Sequence, residues 1–242
     1  MAVGPIERAV DLLARVADEP GDATVATLAS DAGLPTSTAY RLLAALERHG
    51  LVQRDAASTV SLGTRVVALG RAAEASLQER LVVPAAPTME RLVREQGETA
   101  ILTAPCGLEA IVLHTVEAEH TVRLSYAVYR RAPMHLGASG KVVAAWLEPA
   151  ERERLIAVAG DPGLEETLDQ IRRRGWVLTS GELDPGVSAV AAPVRDARGR
   201  ILAGLSLAGP TARMADAGFA QTATAVREAA STIEAALAAR DQ

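Results

Sequence analysis

Aromatic side chains make up only 2% of these 242 residues, so the interior must be filled by alanine, valine, leucine and isoleucine. Cysteine is nearly absent. The one example, Cys106, cannot close an internal disulfide and reads as a small buried hydrophobe. No apolar run approaches the length of a membrane span, and the opening MAVGPIERAV lacks a signal-peptide pattern, so the expectation is a soluble cytoplasmic protein with no membrane partner. A positive charge balance is missing too. The formal net charge is −5, and the first 75 residues hold seven arginines against nine acids. Lysine is represented once, at Lys141, which marks a place where a slim ammonium suits better than a guanidinium fork. The four histidines, at 49, 114, 120 and 135, share no metal-ligand spacing with each other or with Cys106, so no metal is assigned and no cofactor is called for.

What is present is a globular composition, 49% hydrophobic, long enough for one large domain or two modest ones. The most informative stretch is Thr27–Arg54, TLASDAGLPTSTAYRLLAALERHGLVQR. Leu28, Ala29, Ala32 and Leu34 mark a short helix, and Gly33 stands where it must stop and turn. Pro35 fits the first turn of a second helix, with Leu42, Leu43 and Leu46 on one face and Thr36, Ser37, Tyr40, Arg41 and Arg48 on another. Gly50 closes that helix. Leu51–Arg54 and Thr59–Leu62 are short extended runs around a polar turn, Asp55–Ser58. Helix, helix and hairpin in this order describe a winged helix-turn-helix. Three arginines against one glutamate between Thr36 and Arg54 give it a small basic surface, which dimerisation would double.

The flanking segments complete the organisation. Ile6–Ala17 reads as an amphipathic helix with Ile6, Val10, Leu13 and Val16 on one stripe. Thr64 to about Arg80 is helical, placed to serve as a linker and a dimer seam, with Pro84 and Pro87 punctuating a boundary and a helix around Pro87–Glu95. Strands are expected at Thr99–Ala104, Ala110–Val116, Thr121–Tyr126 and Trp176–Thr179, and a hairpin at Val187–Arg195 and Arg200–Ala208. Helices are expected at Gly137–Leu147, Pro149–Ala159, Leu164–Arg174 and about Asp216–Arg240. Strands segregated from helices indicate an α+β fold with an antiparallel sheet. The expected divisions are residues 1–65 for the winged domain, with helix-turn-helix about 24–50 and wing about 51–62, then 66–80 for the linker helix and 81–242 for the second domain.

Several blocks together resemble the IclR family of bacterial transcription regulators: IERAVDLLARV, LASDAGLPTSTAYRLLAALERHGLV and Ser61–Gly63 at the amino end, then HLGASGKVVAAWL and IRRRGWVLTSGELDPGVSAVAAPVRDARGRILAGLSLAGP. The resemblance covers nearly the whole chain. It implies a winged DNA-binding domain joined to a GAF-like effector-binding domain, a homodimer or dimer of dimers, palindromic double-stranded operator DNA, and a small-molecule effector such as an organic or aromatic acid. Two departures stand out. Val60-Ser61 replaces the aromatic often found before Leu-Gly in the wing, and the Ala57–Ser58–Thr59 turn lacks the usual glycine.

On DNA, Thr36, Ser37, Thr38, Tyr40 and Arg41 are expected at the groove and Arg48 and Arg54 nearer phosphates, with arginine able to pair bidentately with guanine. Tyr40 packed inside and Arg48 merely solvated are the alternatives. Ala138, Ser139 and Gly140 at a helix start offer backbone N–H groups to a carboxylate. The resemblance implies an opposite wall from Thr179, Val187, Ala189 and Ser206, with Tyr126, Tyr129 and Trp146 as possible closing groups. No catalytic residue is assigned. Rival readings are an enzyme acting on small carbonyl compounds through Lys141 or Cys106, against which Lys141 paired with Glu182 is the simpler role, and an interaction adaptor without DNA binding.

Overall fold

The computed structural model describes residues 4–18, 23–55 and 58–240. The chain divides into two compact units, Met1–Ser76 and Leu77–Gln242. In the first, α1 (Pro5–Asp18), α2 (Val25–Asp31) and α3 (Thr36–Arg48) precede a two-stranded antiparallel wing, β1 (Val52–Arg54) and β2 (Val60–Leu62), and α4 (Thr64–Leu77) follows. Thr24 and Thr27 start α2 reciprocally: the Thr24 hydroxyl accepts from the Thr27 amide at 3.1 Å, and the Thr27 hydroxyl accepts from the Thr24 amide at 2.9 Å. Gly33 has φ +61°, the left-handed turn that separates α2 from α3. Pro35 is the cap before α3 rather than its first helical residue, and its carbonyl accepts from Thr38 and Ala39.

The core of this unit joins Leu12, Val16, Leu28, Ala29, Leu43, Val52 and Val60. The stripe expected on α1 is therefore partly wrong. Leu12 and Val16 are buried, whereas Ile6 and Val10 are 80% and 60% exposed. The helix turns its Leu12–Val16 edge to α3, and a period that admits two stripes cannot say which one packs. In the wing turn, Ala56 and Ala57 lie outside the described residues, but Ser58 adopts φ +65°, taking the left-handed place for which a glycine would be natural.

The junction to the second unit also departs from expectation. Pro84 and Pro87 do not interrupt the helix; Pro84 opens α5 (Val83–Gln96) and Pro87 lies inside it. A widened π-type turn, Gln78–Val82, connects α4 to α5 and holds the Arg80 carbonyl, four residues before Pro84. A proline ring clashes with the carbonyl four residues back in a regular helix, and the wider turn relieves that conflict.

The second unit is built on a six-stranded antiparallel sheet in the order β5-β4-β3-β8-β7-β6. Its strands are β3 (Thr99–Cys106), β4 (Glu109–Val116), β5 (Arg131–Pro133), β6 (Val177–Ser180), β7 (Val187–Arg195) and β8 (Ile201–Pro210). The α+β expectation holds. Thr121–Tyr126, expected as a strand, is irregular: it is tied down by side chains, with Thr99 donating to the Leu124 carbonyl at 2.8 Å and Thr115 to the Tyr126 carbonyl at 3.2 Å. Arg131–Pro133 takes the edge position instead.

One face of the sheet, with Leu102, Val190, Leu205 and Leu207, packs on α5 and on α10 (Phe219–Ala238). The expected terminal helix is divided, because Gly218 at φ +84° separates α9 (Thr211–Ala217) from α10. The opposite face carries α6 (Gly137–Ala144), α7 (Pro149–Ala159) and α8 (Leu164–Arg174), with Met134, Val142, Val143, Leu155 and Leu168 in their core.

A Cβ at Gly63 would stand 2.1 Å from the Gly50 carbonyl oxygen, at the point where the wing closes on α3. Gly63→Ala should therefore lower the stability of the N-terminal unit by about 1–3 kcal/mol, the usual range for overpacking. Gly70→Ala, where a Cβ meets nothing within 4 Å, should be neutral or slightly stabilising. Urea denaturation of the two variants measures both; equal midpoints would contradict the close approach.

Candidate functional site

The N-terminal surface is set by α3. Ala39 and Leu43 bury one side, leaving Thr36, Ser37, Tyr40, Arg41 and Arg48 exposed and Thr38 partly so. Tyr40 is 53% exposed, so the alternative of an internal Tyr40 does not hold. Arg54 has a different place from the phosphate-facing one expected. Its guanidinium is paired with Glu47, Nε donating at 3.0 Å, and lies 4.9 Å over the Tyr40 ring. That pairing raises the Arg54 pKa and lowers that of the Glu47 carboxyl. Arg54 thus braces the wing against α3 and orients Tyr40, while Arg41 and Arg48 stay open to solvent.

In the second unit, a cavity opens between the sheet and the amino end of α6. Its volume is small, about 60 Å³. Alternation along the strands decides what faces it. β3 contributes Ile101 and Thr103, β4 Ala110 and Val112, β8 Ser206 and Ala208, β7 Val187 and Ala189, and β6 Thr179. Ala138, Ser139 and Gly140 close the opposite side. All seven residues expected at an effector site line this one cavity.

Several polar groups point into it. Ser139 donates to the Ser206 hydroxyl at 2.8 Å. The Thr103 hydroxyl is buried and has no hydrogen-bond partner, a costly arrangement in an apolar wall. Glu182 accepts the Gly137 amide at 3.2 Å and holds Lys141 at 2.7 Å, so the lone lysine is an ion-pair partner, the simpler of its two readings. The Ala138 and Ser139 amides lie in the first turn of α6, where no helical carbonyl can receive them. At the mouth, the Tyr126 hydroxyl donates to Asp184, and Arg130 lies 4.2 Å over the Tyr126 ring and 3.6 Å from Asp184. Burial first, and then the Asp184 carboxylate, push the Tyr126 pKa up to about 12.

The comparisons match this architecture. The family model of the IclR helix-turn-helix domain matches residues 5–56, and that of the bacterial transcriptional regulator IclR C-terminal domain matches residues 75–235. The chain belongs to the IclR family. The HTH-type transcriptional regulator BhcR of Paracoccus denitrificans is 31% identical over 97% of this chain and 88% of its own. The HTH-type transcriptional repressor AllR of Escherichia coli K12 is 27% identical over 96% and 89%. Among solved structures, an IclR family transcriptional regulator from Brucella abortus superposes with TM-score 0.79 at 22% identity, covering 96% of this chain and 91% of that one. HmgR of Pseudomonas aeruginosa gives 0.59 at 29% identity, covering 95% and 96%. This member of the IclR family is accordingly a transcriptional regulator with a DNA-binding helix-turn-helix domain. Its relatives are named regulators and repressors, not enzymes.

Other sequence expectations for this IclR-family chain meet the structure unevenly. Tyr126 lines the cavity, but Trp146 and Tyr129 do not. Cys106 is exposed rather than buried, because it ends β3 at the turn into β4. Thr103, Arg130 and Asp184 also line the cavity, beyond the residues that the sequence points to. Thr103 was reachable by counting alternate positions from Thr99, whereas Arg130 comes from an irregular segment with no periodic signal. Among the described residues no group of histidine, cysteine or acids could hold a metal, and no helix is long and apolar enough to cross a membrane.

The Tyr126 phenol should remain protonated in the folded chain at pH values where an ordinary tyrosine ionises, near 10. A raised folded pKa contributes stability that is complete below pH 10 and is lost as pH rises through about 12. In an alkaline absorbance titration, Tyr126→Phe should remove the late tyrosinate phase. Loss of an early phase instead would contradict the buried donor to Asp184.

Proposed function

We propose that this chain is a cytoplasmic repressor whose α3 reads palindromic operator DNA and whose second domain releases that DNA when a small monocarboxylate fills the cavity under α6. The cavity carries the reading. Its walls are mostly aliphatic, with three donors among the lining residues: the Ala138 and Ser139 amides and the unpartnered Thr103 hydroxyl. Backbone amides at a helix start favour an anion. Lys141 and Arg130 are taken up by Glu182 and Asp184, so among the described residues no free cation is left there to balance a second negative charge on the ligand. The enclosed volume corresponds to roughly four to six waters, which favours a compact acid over an aromatic one.

For DNA, the exposed Thr36, Ser37, Tyr40 and Arg41 at the amino end of α3 suit a helix end entering the major groove, and Arg48 suits a phosphate. Arg54 supports them from behind through Glu47 and Tyr40. A dimer, or a dimer of dimers, fits α4, which buries none of its residues and leaves Val67 and Leu69 more than half exposed. Ile6 and Val10 of α1 present similar apolar surface. Two copies would supply two reading helices, offsetting the modest basic charge of one.

Gel-shift titration with the DNA upstream of its own gene tests the reading helix. Arg41→Ala should weaken binding by about tenfold or more without changing the oligomeric state. Full affinity in that variant would refute the assignment, and no affinity in the parent chain would favour the adaptor. For the cavity, short monocarboxylates should release the DNA at lower concentration than benzoate-sized acids. Thr103→Val should raise the concentration needed by about tenfold, the loss expected for one buried hydrogen bond. An unchanged response would remove Thr103 from the site.

A further inference from the structure

A second recess in the C-terminal unit shares no lining residue with the cavity under α6. It is an open recess of about 530 Å³, large enough for a small molecule. Three elements converge on it. The last turn of α8 brings Arg172, Arg173 and Arg174, the end of β7 brings Arg195, and α10 brings Arg227. Against these five arginines stand Glu228 and Glu234, an excess of three positive charges in a chain whose net charge is −5.

Neighbouring carboxylates absorb only part of this excess: Asp169 feels the charges of Arg173 and Arg172 but is itself paired with Arg152 at 2.7 Å. Glu234 is committed to Arg195: its Oε1 accepts from the Arg195 backbone amide at 2.8 Å and from the Arg195 Nε at 3.0 Å. Among the described residues, no ion pair within 4.0 Å engages Arg172, Arg173, Arg174 or Arg227. Favourable interaction with the α8 dipole accounts for cations in its last turn, but not for Arg227 and Arg195 arriving from other elements. Four of the five, Arg172, Arg173, Arg174 and Arg227, are exposed, so the recess is an open, positively charged concavity that an anion can reach directly.

We propose that this recess is a binding site for a small, multiply charged phosphate compound of the diphosphate class. Planar guanidinium forks match phosphate oxygens two at a time, and the charge excess matches a diphosphate better than a monocarboxylate. On α10, Ser231 lies one turn after Arg227 on the same face, and its hydroxyl can donate to a further oxygen, whereas the Thr224 hydroxyl is committed to the Ala220 carbonyl at 3.1 Å. Trp146 forms part of the wall, with Arg195 5.7 Å over its ring. The ligand would be a second signal for the regulator, distinct from the acid in the cavity.

Trp146 also supplies the test. The chain has two tryptophans, and Trp176→Phe leaves Trp146 alone as the reporter. Titrating that full-length variant with inorganic pyrophosphate should give a saturable change in emission, which chloride at matched ionic strength does not reproduce. Calorimetry on the unmodified chain guards against any loss of folding from the tryptophan change. Adding Arg174→Gln and Arg227→Gln, both at exposed positions, should weaken pyrophosphate binding at least about tenfold while leaving affinity for DNA without pyrophosphate unchanged. No saturable binding up to millimolar pyrophosphate, or equal affinity in the arginine variants, would overturn the proposal. So would a loss of DNA affinity without pyrophosphate binding, which would assign the recess to duplex phosphates.

Discussion

The close approach of α6 to the sheet is the constraint on which the second domain depends. A Cβ at Gly140 would lie 2.6 Å from the Met134 carbonyl oxygen, and one at Gly204 would lie 2.7 Å from a Val142 methyl. Both positions must therefore lack a side chain for the helix to rest on β8. Once it does, the Ser139 hydroxyl reaches Ser206 and the first-turn amides face the strands. The cavity is what remains where small residues, Ala110, Ala189 and Ala208, leave the sheet surface bare. A chain this poor in aromatics builds a recess by omission.

The charges around α6 follow the same logic. A helix start buried against a sheet leaves amides unsatisfied, and Glu182 accepts one of them. Lys141, one turn along, neutralises that carboxylate and so keeps the entrance from being strongly acidic. Asp184 is similarly matched by Tyr126 and Arg130. The acids at the mouth are thus balanced within the protein, and the Ala138 and Ser139 amides and the Thr103 hydroxyl stay available for a ligand.

Much of this was legible in the sequence, for reasons that differ by element. Glycine at fixed turns, a leucine face on α3 and strict alternation in β7 and β8 carry strong periodic signals, and those elements appear where the pattern places them. Failures arise where tertiary contacts choose between equivalent local patterns. On α1 the sequence allows the Ile6–Val10 stripe or the Leu12–Val16 edge, and only packing against α3 selects the latter. Pro84 ordinarily argues against a helix, but the carbonyl four residues before it, at Arg80, lies in the π-type turn, which absorbs the steric conflict. At the cavity, the resemblance supplied Thr179, Val187, Ala189 and Ser206, whereas Arg130 and Asp184 sit on segments whose position is fixed by side-chain bonds. For Arg54, the missing information was Glu47: an ion pair between helix and wing cannot be read from local spacing.

The central claim is that a small acid held by the first-turn amides of α6 controls DNA binding by α3. Hydrogen–deuterium exchange of the full chain, with and without a monocarboxylate that releases it from DNA, tests this most directly. The account predicts slowed exchange concentrated at residues 136–142, where Ala138 and Ser139 would donate to the ligand. Release of DNA with no slowing in that segment would contradict it.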